Sequence, residues 1–226
     1  MLRYLVLVVL VLAACGRADA QGAPPADPPW ALVPTGDLCA TRGVIDWSCS
    51  GLRINEPVVR MVAVSSHSDA ARLRFTYRGR TAEDVPLASG QIRRQVGLKL
   101  RAVDGCNLVY VMWRIDPTPG LEVSAKVNPG MHTSDDCGSN GYVAVSPGVV
   151  PLVPLVPGID HVLEARISGL VITVFVDDVL VWQGALPDSA RWLSGPAGIR
   201  TDNVVIDAEL MTVPGPVRIR SSIPGC

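Results

Sequence analysis

The chain of 226 residues has few aromatic residues, very little lysine and no excess of charge of either sign. Phenylalanine, tryptophan and tyrosine together make up 5% of the residues, and only two lysines stand beside eighteen arginines. The formal net charge of -1 excludes a general electrostatic attraction to nucleic acid or to an anionic membrane surface. Any basic surface on this protein must therefore be local.

The sequence also lacks the short motifs of several catalytic and metal-binding sites. No lysine directly follows a glycine, which excludes a phosphate-binding loop of the Walker type. There is no G-x-S-x-G, no H-E-x-x-H, and no C-x-x-C pair that would indicate a zinc ribbon or a thioredoxin-like redox site. The three histidines, His67, His132 and His161, lie far apart, and we expect them to be surface or hydrogen-bonded residues.

Valine, glycine and proline are abundant, with 33, 21 and 19 residues, and they favour strands joined by turns over a helical bundle. Apolar and polar residues alternate with a period of two in many segments, as they do in strands with one buried face. The clearest segments are 58–64, 71–77, 96–102, 107–115, 121–127, 162–168, 171–177, 179–182 and 204–213. Turns are predicted at 116–120 and at Asp177-Asp178, with a single helix-like turn near 188–193.

Strands with one polar face are antiparallel as a rule, and two such sheets stacked on their apolar faces form a sandwich. The sequence therefore predicts an all-β fold, a two-sheet antiparallel β-sandwich. No internal repeat of about 20–50 residues is visible, which excludes propellers and solenoids. We expect residues 1–20 to be a signal peptide, 21–37 a tether rich in proline and alanine, 38–213 the sandwich domain and 214–226 a C-terminal extension.

The N-terminus predicts export. The ten apolar residues 5–14 are too few to cross a bilayer as a helix, but they match the apolar region of a secretory signal. Residues 12–15 (LAAC) resemble the lipobox of bacterial lipoproteins, in which the cysteine, here Cys15, is lipidated. In a Gram-negative cell, Gly16 would then imply an outer-membrane or cell-surface lipoprotein. Cleavage after residues 18–20 (ADA) would instead yield a secreted protein, and we favour the lipoprotein.

The chain has six cysteines: Cys15, Cys39, Cys49, Cys106, Cys137 and Cys226. Export permits disulfides, and if Cys15 is lipidated, one of the other five stays free or pairs with another chain. Cys106 precedes one predicted strand and Cys137 follows the return of the next, which places both at one end of a hairpin and favours a disulfide. Cys39 and Cys49 would close a short loop, or one of them bonds Cys226 if the termini meet.

The least regular part of the chain is 130–158, which we predict to be a long excursion with one short strand at 142–145. Long loops of this kind often carry binding sites. Asp135, Asp136 and Asn140 lie in a stretch rich in Asp, Gly and Asn, and they are a candidate calcium site without EF-hand spacing. A plain turn is the favoured interpretation, and no other cofactor is expected.

The polar faces of the predicted strands offer the main candidate for ligand binding. Six side chains would lie on the outward face of adjacent strands: Lys99, Arg101, Tyr110, Arg114, Glu122 and Lys126. Arginine and tyrosine can hydrogen-bond sugar hydroxyls or an acidic sugar, and tyrosine offers a ring for stacking. The favoured interpretation is nevertheless a solvated sheet surface with cross-strand charge pairs, each worth about 0.2–1 kcal/mol.

Three stretches carry a family resemblance. Residues 161–182 (HVLEARISGLVITVFVDDVLVW) contain a hairpin close to x-I-x-V-x-V-D-G-x-x-V, with Asp178 in place of the glycine. Residues 195–201 (GPAGIRT) are close to G-x-x-G-L-x-T, and residues 96–114 are close to G-L-x-F-R-x-x-D-x-x-N-Y-Y. Together they resemble the concanavalin A-like lectin/glucanase family, which includes laminin G-like modules. The resemblance covers roughly residues 50–213 and implies a jelly roll that binds or cleaves glycans on the outer face of one sheet.

The carboxylates do not match the enzymes of that family. Five glutamates are present: Glu56, Glu83, Glu122, Glu164 and Glu209. None stands in the E-x-D-x-x-E pattern of family 16 glycoside hydrolases, whose retaining mechanism needs two carboxyl groups about 5–5.5 Å apart. We therefore expect a non-catalytic surface module that binds carbohydrate or another envelope component, although scarce aromatics weigh mildly against sugar binding. A glycoside-acting enzyme with another mechanism and a purely structural envelope lipoprotein are the alternatives.

Overall fold

The structure is a computed structural model that describes residues 28–48, 51–66 and 69–214. Within these ranges the chain forms fifteen strands, one short α-helix and two 3-10 turns. The strands are β1 (Ala31–Leu32), β2 (Leu38–Arg42), β3 (Asp46–Ser48), β4 (Gly51–Ile54), β5 (Val58–Ala63), β6 (Ala70–Arg80), β7 (Arg94–Leu100), β8 (Leu108–Asp116), β9 (Gly120–Lys126), β10 (Tyr142–Ala144), β11 (Asp160–Ser168), β12 (Val171–Val176), β13 (Val179–Ala185), β14 (Gly198–Asp202) and β15 (Val204–Thr212). Helix α1 spans Ser134–Cys137, and the 3-10 turns span Thr35–Asp37 and Asp188–Ala190.

The strands form two sheets whose pairings are all antiparallel among the described residues. The seven-stranded sheet has the order β10-β9-β8-β7-β14-β5-β2. The eight-stranded sheet has the order β13-β12-β11-β6-β15-β4-β3, and β1 also pairs with β15. This arrangement confirms the predicted all-β, two-sheet antiparallel sandwich.

The core lies between the sheets and is built from the apolar members of the alternating segments. Leu73 and Phe75 of one sheet and Leu98 and Trp113 of the other belong to one buried cluster. The rings of Phe75 and Trp113 meet edge to face, with centroids 5.9 Å apart. Each large apolar side chain buried in this way contributes roughly 1.5–3 kcal/mol, so the cluster supplies the main driving force for closing the sandwich.

The ten predicted strand segments coincide with observed strands to within three residues at each end. The prediction missed β1 to β4 and β14. Strand β14 was missed because it is buried along its whole length. Its polar residues therefore do not alternate with apolar ones as they do in a strand with one solvent-exposed face. Strand β1 lies in the segment 21–37 that was expected to be a tether, and its pairing with β15 brings that segment onto the sheet.

The predicted turn at Asp177-Asp178 joins β12 and β13. Both residues have positive φ, 50° and 63°, as a two-residue turn of type I′ requires. The Asp177 carboxylate accepts a hydrogen bond of 2.8 Å from the backbone N–H of Val162 and contacts Nδ1 of His161 at 2.9 Å. These local bonds stabilise a backbone conformation for which glycine is the usual residue.

The predicted signal peptide and both of its cleavage sites lie outside the described residues, as do Cys15, Cys49, Cys226 and His67. Cys39 is disulfide-bonded. In the described part of the chain, no helix combines the length and the apolar character that a membrane crossing requires.

Candidate functional site

A groove of about 720 Å³ lies over the outer face of the seven-stranded sheet. Its floor follows from strand geometry, because every second side chain of each strand points away from the core. The floor residues are Arg42, Val58, Arg60, Gln95, Tyr110, Met112, Glu122, Ser124, Lys126, Tyr142, Ala144, Arg200 and Asp202. A side cavity of about 350 Å³ adjoins the groove, and Arg60 and Tyr110 line both.

Gly97 keeps the middle of the floor free of a side chain. In the sheet register it lies between Met112 of β8 and Arg200 of β14. A Cβ atom at this position would come within 2.1 Å of the carbonyl oxygen of Val111 and 2.7 Å of Sδ of Met112. Any other residue would therefore displace the neighbouring strand, and glycine is required where the floor strands pack this closely.

One wall of the groove is the loop between β6 and β7, of which residues 86–89, Gln91 and Arg93 line the groove. Asn203 holds this loop from the turn between β14 and β15. Its side chain accepts a hydrogen bond of 2.7 Å from the N–H of Val85 and donates bonds of 2.9 Å to the carbonyl oxygens of Val85 and Arg93. Asn203 is fully buried with a φ of 55°, a conformation that asparagine tolerates better than most residues.

A second wall is the segment 127–141, which contains α1. The disulfide between Cys106 and Cys137 anchors it and confirms the predicted pair. Nδ2 of Asn128 donates to the carbonyl oxygens of Cys106 and Asn140, at 3.2 and 3.0 Å. The irregular loop expected from the sequence is therefore held against the sheet by one covalent bond and several hydrogen bonds.

One buried carboxylate fixes two arginines in the floor. Asp202 accepts hydrogen bonds from Nη2 of Arg60 at 2.5 Å, from Nε of Arg200 at 2.9 Å and from Nε2 of Gln95 at 2.7 Å. Burial alone would raise the pKa of Asp202, but the charges of Arg60 and Arg200 outweigh burial and lower that pKa to about 2. We call Arg60, Gln95, Arg200 and Asp202 the Asp202 cluster, and its geometry is set without any ligand.

Two tyrosines extend the Asp202 cluster toward the sheet edge. The rings of Tyr110 and Tyr142 stack with centroids 6.0 Å apart and planes 18° apart. The Arg200 guanidinium lies 4.7 Å from the Tyr110 ring centroid and donates to the Tyr142 hydroxyl oxygen at 3.1 Å. Nζ of Lys126 lies 5.0 Å from the Tyr142 ring and donates to the carbonyl oxygen of Gly138 at 2.9 Å. Tyr142 is 41% exposed, so it presents an aromatic surface at the edge of the groove.

Lys99 lines the side cavity and is only 3% exposed. Among the described residues its side-chain amine has no hydrogen bond or ion pair. Burial lowers the pKa of Lys99 to about 7, and the charges of Arg60 and Arg200 act in the same direction against the weaker effect of Asp104. The floor therefore contains a buried amine that is only partly charged at neutral pH.

The structure brings four of the six predicted binding residues to the groove or side cavity: Lys99, Tyr110, Glu122 and Lys126. Arg114 lies beside them on β8 and pairs with Glu122. Arg101 lies elsewhere, because a φ of 49° turns it out of β7. Its guanidinium forms two hydrogen bonds of 2.7 Å with Asp69 and one of 3.1 Å with the carbonyl oxygen of Gly169. The binding role of all six residues stays a prediction.

Sequence reasoning missed the Asp202 cluster and Tyr142. Arg60 stands between Val59 and Met61 in a predicted strand, so the alternation itself placed it on the outward face. Arg200 and Asp202 gave a weaker signal, because their strand was not predicted. Only the pairing of β14 between β7 and β5 brings them beside Arg60.

The candidate calcium residues lie in the second wall. The Asp136 carboxylate accepts a hydrogen bond of 3.1 Å from the N–H of Thr133, while its own N–H donates to the Thr133 hydroxyl at 3.3 Å. This capping box starts α1, and the hydrogen bonds from Thr133 lower the pKa of Asp136. Asp135 lines the groove, and the carbonyl of Asn140 accepts from Asn128. No group of three or more His, Cys, Asp or Glu residues suits a metal ion in the described ranges, and calcium stays a prediction.

Two antiparallel sheets with a groove across one of them define a two-sheet antiparallel β-sandwich. The carbohydrate-binding module CBM66 from Bacillus subtilis is similar, with a TM-score of 0.55 and 12% identity over 76% of this chain and 91% of that chain. A protein from Parabacteroides distasonis that is assigned as a glycosyl hydrolase is also similar, with a TM-score of 0.51 and 10% identity over 80% of this chain and 98% of that chain. No protein-family model matches the chain, and no curated protein matches its sequence.

Proposed function

We propose that the protein binds carbohydrate through the groove without catalysis, and that it is exported and lipid-anchored through Cys15. The observation that carries carbohydrate binding is the groove, whose volume of about 720 Å³ lies within the range of about 300–1,000 Å³ typical of small-ligand sites. Its floor combines charged hydrogen-bond donors with tyrosine rings, and both groups are suited to sugar rings and their hydroxyls.

Preorganisation of the Asp202 cluster supports binding. Asp202 holds the guanidinium groups of Arg60 and Arg200, and Arg60 also donates to the carbonyl oxygen of Thr201 at 2.7 Å. Side chains that are already ordered lose little entropy when a ligand binds, which favours affinity. The names of the two structural neighbours, a carbohydrate-binding module and a glycosyl hydrolase, support carbohydrate as the ligand class.

The state of the groove carboxylates favours binding over hydrolysis. Asp202 is ion-paired with a pKa of about 2, so it holds no proton to donate at neutral pH. Glu122 accepts a hydrogen bond of 3.1 Å from Arg93 and also pairs with Arg114. Both carboxylates are therefore already engaged by arginines of the protein itself.

The proposal that the protein is exported is supported by the N-terminal sequence and by the disulfides. The LAAC motif at 12–15 follows directly on the apolar run of a signal sequence. Disulfides at Cys106–Cys137 and at Cys39 are typical of proteins that fold in an oxidising compartment.

A glycan array on residues 21–226, with and without calcium, tests the binding proposal. We expect a defined set of glycans to bind, and we expect Arg200→Gln in the groove to reduce binding at least tenfold. Arg78→Gln on the outer face of the eight-stranded sheet is the matched control and should leave binding unchanged. Absence of binding to every glycan would refute the proposal.

Membrane attachment is tested separately. Cell fractionation should place the wild-type chain in the membrane fraction, and Cys15→Ser should lose that attachment. Unchanged fractionation of Cys15→Ser would contradict lipid anchoring without affecting the proposal for the groove.

A further inference from the structure

We propose that the groove selects sugars that carry an anionic group, a carboxylate or a sulfate, and that Lys99 in the side cavity receives this group. The inference rests on the proposed carbohydrate binding and adds the chemical class of the ligand. It depends on the balance of charges around the two cavities and on the position of one buried amine.

The cavities are lined by more cations than carboxylates. The cations are Arg42, Arg60, Arg93, Lys99, Lys126 and Arg200, and the carboxylates are Asp104, Glu122, Asp135 and Asp202. Most of the carboxylates already have partners. Asp104, for example, accepts from the N–H of Cys106 at 2.7 Å and from Nδ2 of Asn107 at 2.9 Å. Arg42 and Lys99 have no carboxylate partner among the described residues. An anionic ligand would supply the missing countercharge.

Lys99 is positioned to meet a ligand rather than a protein group. It is more than nine-tenths buried, and it faces Tyr110 on β8 and Gly198 on β14 in the sheet register. Neither neighbour offers an anionic partner at neutral pH, because burial raises the pKa of Tyr110 to about 12. A buried amine without a partner destabilises the fold, and such groups occur mainly where function requires them.

The guanidinium groups of Arg60 and Arg200, whose charges act on Lys99, make the same site suitable for an oxyanion. Arg60 and Arg200 carry fork-shaped donors that match carboxylate and sulfate oxygens. Asp202 holds Nη2 of Arg60 and Nε of Arg200. Nη1 of Arg60 donates to the carbonyl oxygens of Val59 and Thr201, and Nη1 of Arg200 donates to the Tyr142 hydroxyl. Nη2 of Arg200 is therefore the terminal nitrogen without a protein partner among the described residues. Tyr142 lies next to Arg200 and, at 41% exposure, provides a surface for the neutral part of a sugar ring, while the buried Tyr110 supports it from below by stacking.

Anion binding at Lys99 must couple to proton uptake. The groups that face Lys99 are Arg60 of β5, Arg200 of β14, Tyr110 of β8, Asp104 after β7, His132 and Asp135 of the second wall, and Arg42 of β2. With a pKa of about 7, the amine is mostly neutral at pH 8, and a bound anion would restore its proton. We therefore expect uptake of about 0.9 proton per ligand at pH 8, and a dissociation constant that rises up to about tenfold per pH unit above 7.

Isothermal titration calorimetry on residues 21–226 tests ligand class with matched pairs of sugars. Trigalacturonate is compared with its methyl ester, and sulfated lactose with lactose. We expect the anionic member of at least one pair to bind at least tenfold more tightly than its neutral counterpart. A preference within the first pair would identify carboxylate as the preferred anionic group, and a preference within the second pair would identify sulfate. Titration at pH 8 in HEPES and in Tris reports proton uptake through the difference in apparent enthalpy.

Three variants test whether Lys99 is responsible for the preference for anionic sugars and for the proton uptake. Lys99→Met should weaken binding of the anionic sugar at least tenfold and abolish proton uptake at pH 8. His132→Gln should retain that uptake, which separates Lys99 from the nearby imidazole. Arg42→Gln at the exposed rim should weaken the anionic sugar more than the neutral one, which tests charge selectivity without altering the buried amine.

The outcomes distinguish the two proposals. Equal affinity for the anionic and neutral members of both pairs would overturn the inference and leave carbohydrate binding intact. Unchanged proton uptake in Lys99→Met would remove Lys99 from the site. If no sugar binds here or on the array, carbohydrate binding itself fails.

Discussion

Each outer face of this sandwich has a carboxylate that pairs with two arginines, and the two sites differ in their exposure to water. On the eight-stranded sheet, Arg53 and Arg78 both pair with Asp207, at 3.0 and 2.7 Å, and both arginine side chains are 44% exposed. On the seven-stranded sheet, Asp202 is fully buried and Arg200 is 7% exposed. The Asp207 pairs stay in water, whereas the Asp202 cluster is enclosed between two loop walls. The eight-stranded sheet also holds one buried carboxylate, Glu164, which pairs with Arg72 and Arg166 away from the groove.

The difference in burial implies a difference in the free energy that each set of ion pairs contributes to folding. Exposed ion pairs contribute only about 0–1 kcal/mol, so they help to keep the surface soluble with little effect on the fold. Buried charges must be compensated, because an unpaired one costs several kcal/mol. A face that retains buried charges despite this cost is the stronger candidate for function.

The largest expected effect comes from removing the central buried carboxylate. Asp202→Asn leaves Arg60 and Arg200 without a countercharge and should destabilise the fold by about 3–5 kcal/mol, measured by urea unfolding at pH 7. In the wild type, the contribution of Asp202 to the free energy of unfolding should persist above pH 4. It should decline as the pH falls toward the pKa of about 2 that Asp202 has in the folded state. A loss below 1 kcal/mol would remove the distinction between the two faces.

Removal of the disulfide in the second wall should have the next largest effect. The double variant Cys106→Ser, Cys137→Ser opens a loop with a sequence separation of 31 and should lower stability by about 3–4 kcal/mol. Hydrogen exchange should rise mainly in 127–141. Uniform exchange across the sandwich would instead indicate that the disulfide supports the whole fold.

Lys99→Met should stabilise the protein, by on the order of 3 kcal/mol at pH 6. In the unfolded chain the amine keeps its ordinary pKa, so between pH 7 and about 10 the unfolded state binds more protons and wild-type stability rises with pH. The gain from Lys99→Met should therefore shrink by more than half at pH 9.5. Urea unfolding at both pH values checks this, and an equal gain at both would show that the effect is not electrostatic.

Asn203→Ala should release the first wall. It removes the hydrogen bonds to Val85 and Arg93 and places alanine at positive φ, with an expected loss of about 1–3 kcal/mol. Limited proteolysis should then cut within 81–93. Asn203→Gly is the matched control for backbone strain, because it removes the same hydrogen bonds without the penalty for positive φ.

The smallest effect is expected on the eight-stranded sheet. Asp207→Asn removes the partner of Arg53 and Arg78, yet it should change stability by less than about 1 kcal/mol because both arginines remain hydrated. Urea unfolding of Asp207→Asn and Asp202→Asn under the same conditions measures the two changes in stability. Similar losses in the two variants would contradict the comparison.

Much of the fold could be predicted because its signals are local. The alternation in 71–77 and 107–115 placed Leu73 and Val111 in the core, and Asp177-Asp178 marked a turn. The site was predicted only in part. Lys99 and Tyr110 stand at outward positions of predicted strands, whereas Arg101 follows the same alternation but leaves its strand through a positive φ.

The sequence by itself determined ten of the fifteen described strands, the face that most of their residues present, the Cys106–Cys137 pair and the near-zero net charge. Each of these depends on composition or on residues close in the chain. Only the tertiary structure decided that β14 pairs between β7 and β5. That pairing brings Asp202 to Arg60 across 142 positions and encloses both beneath two loops. Burial then lowers the pKa of Lys99, and the charges of Arg60 and Arg200 lower the pKa of Asp202. Both effects come from tertiary neighbours that no local pattern specifies.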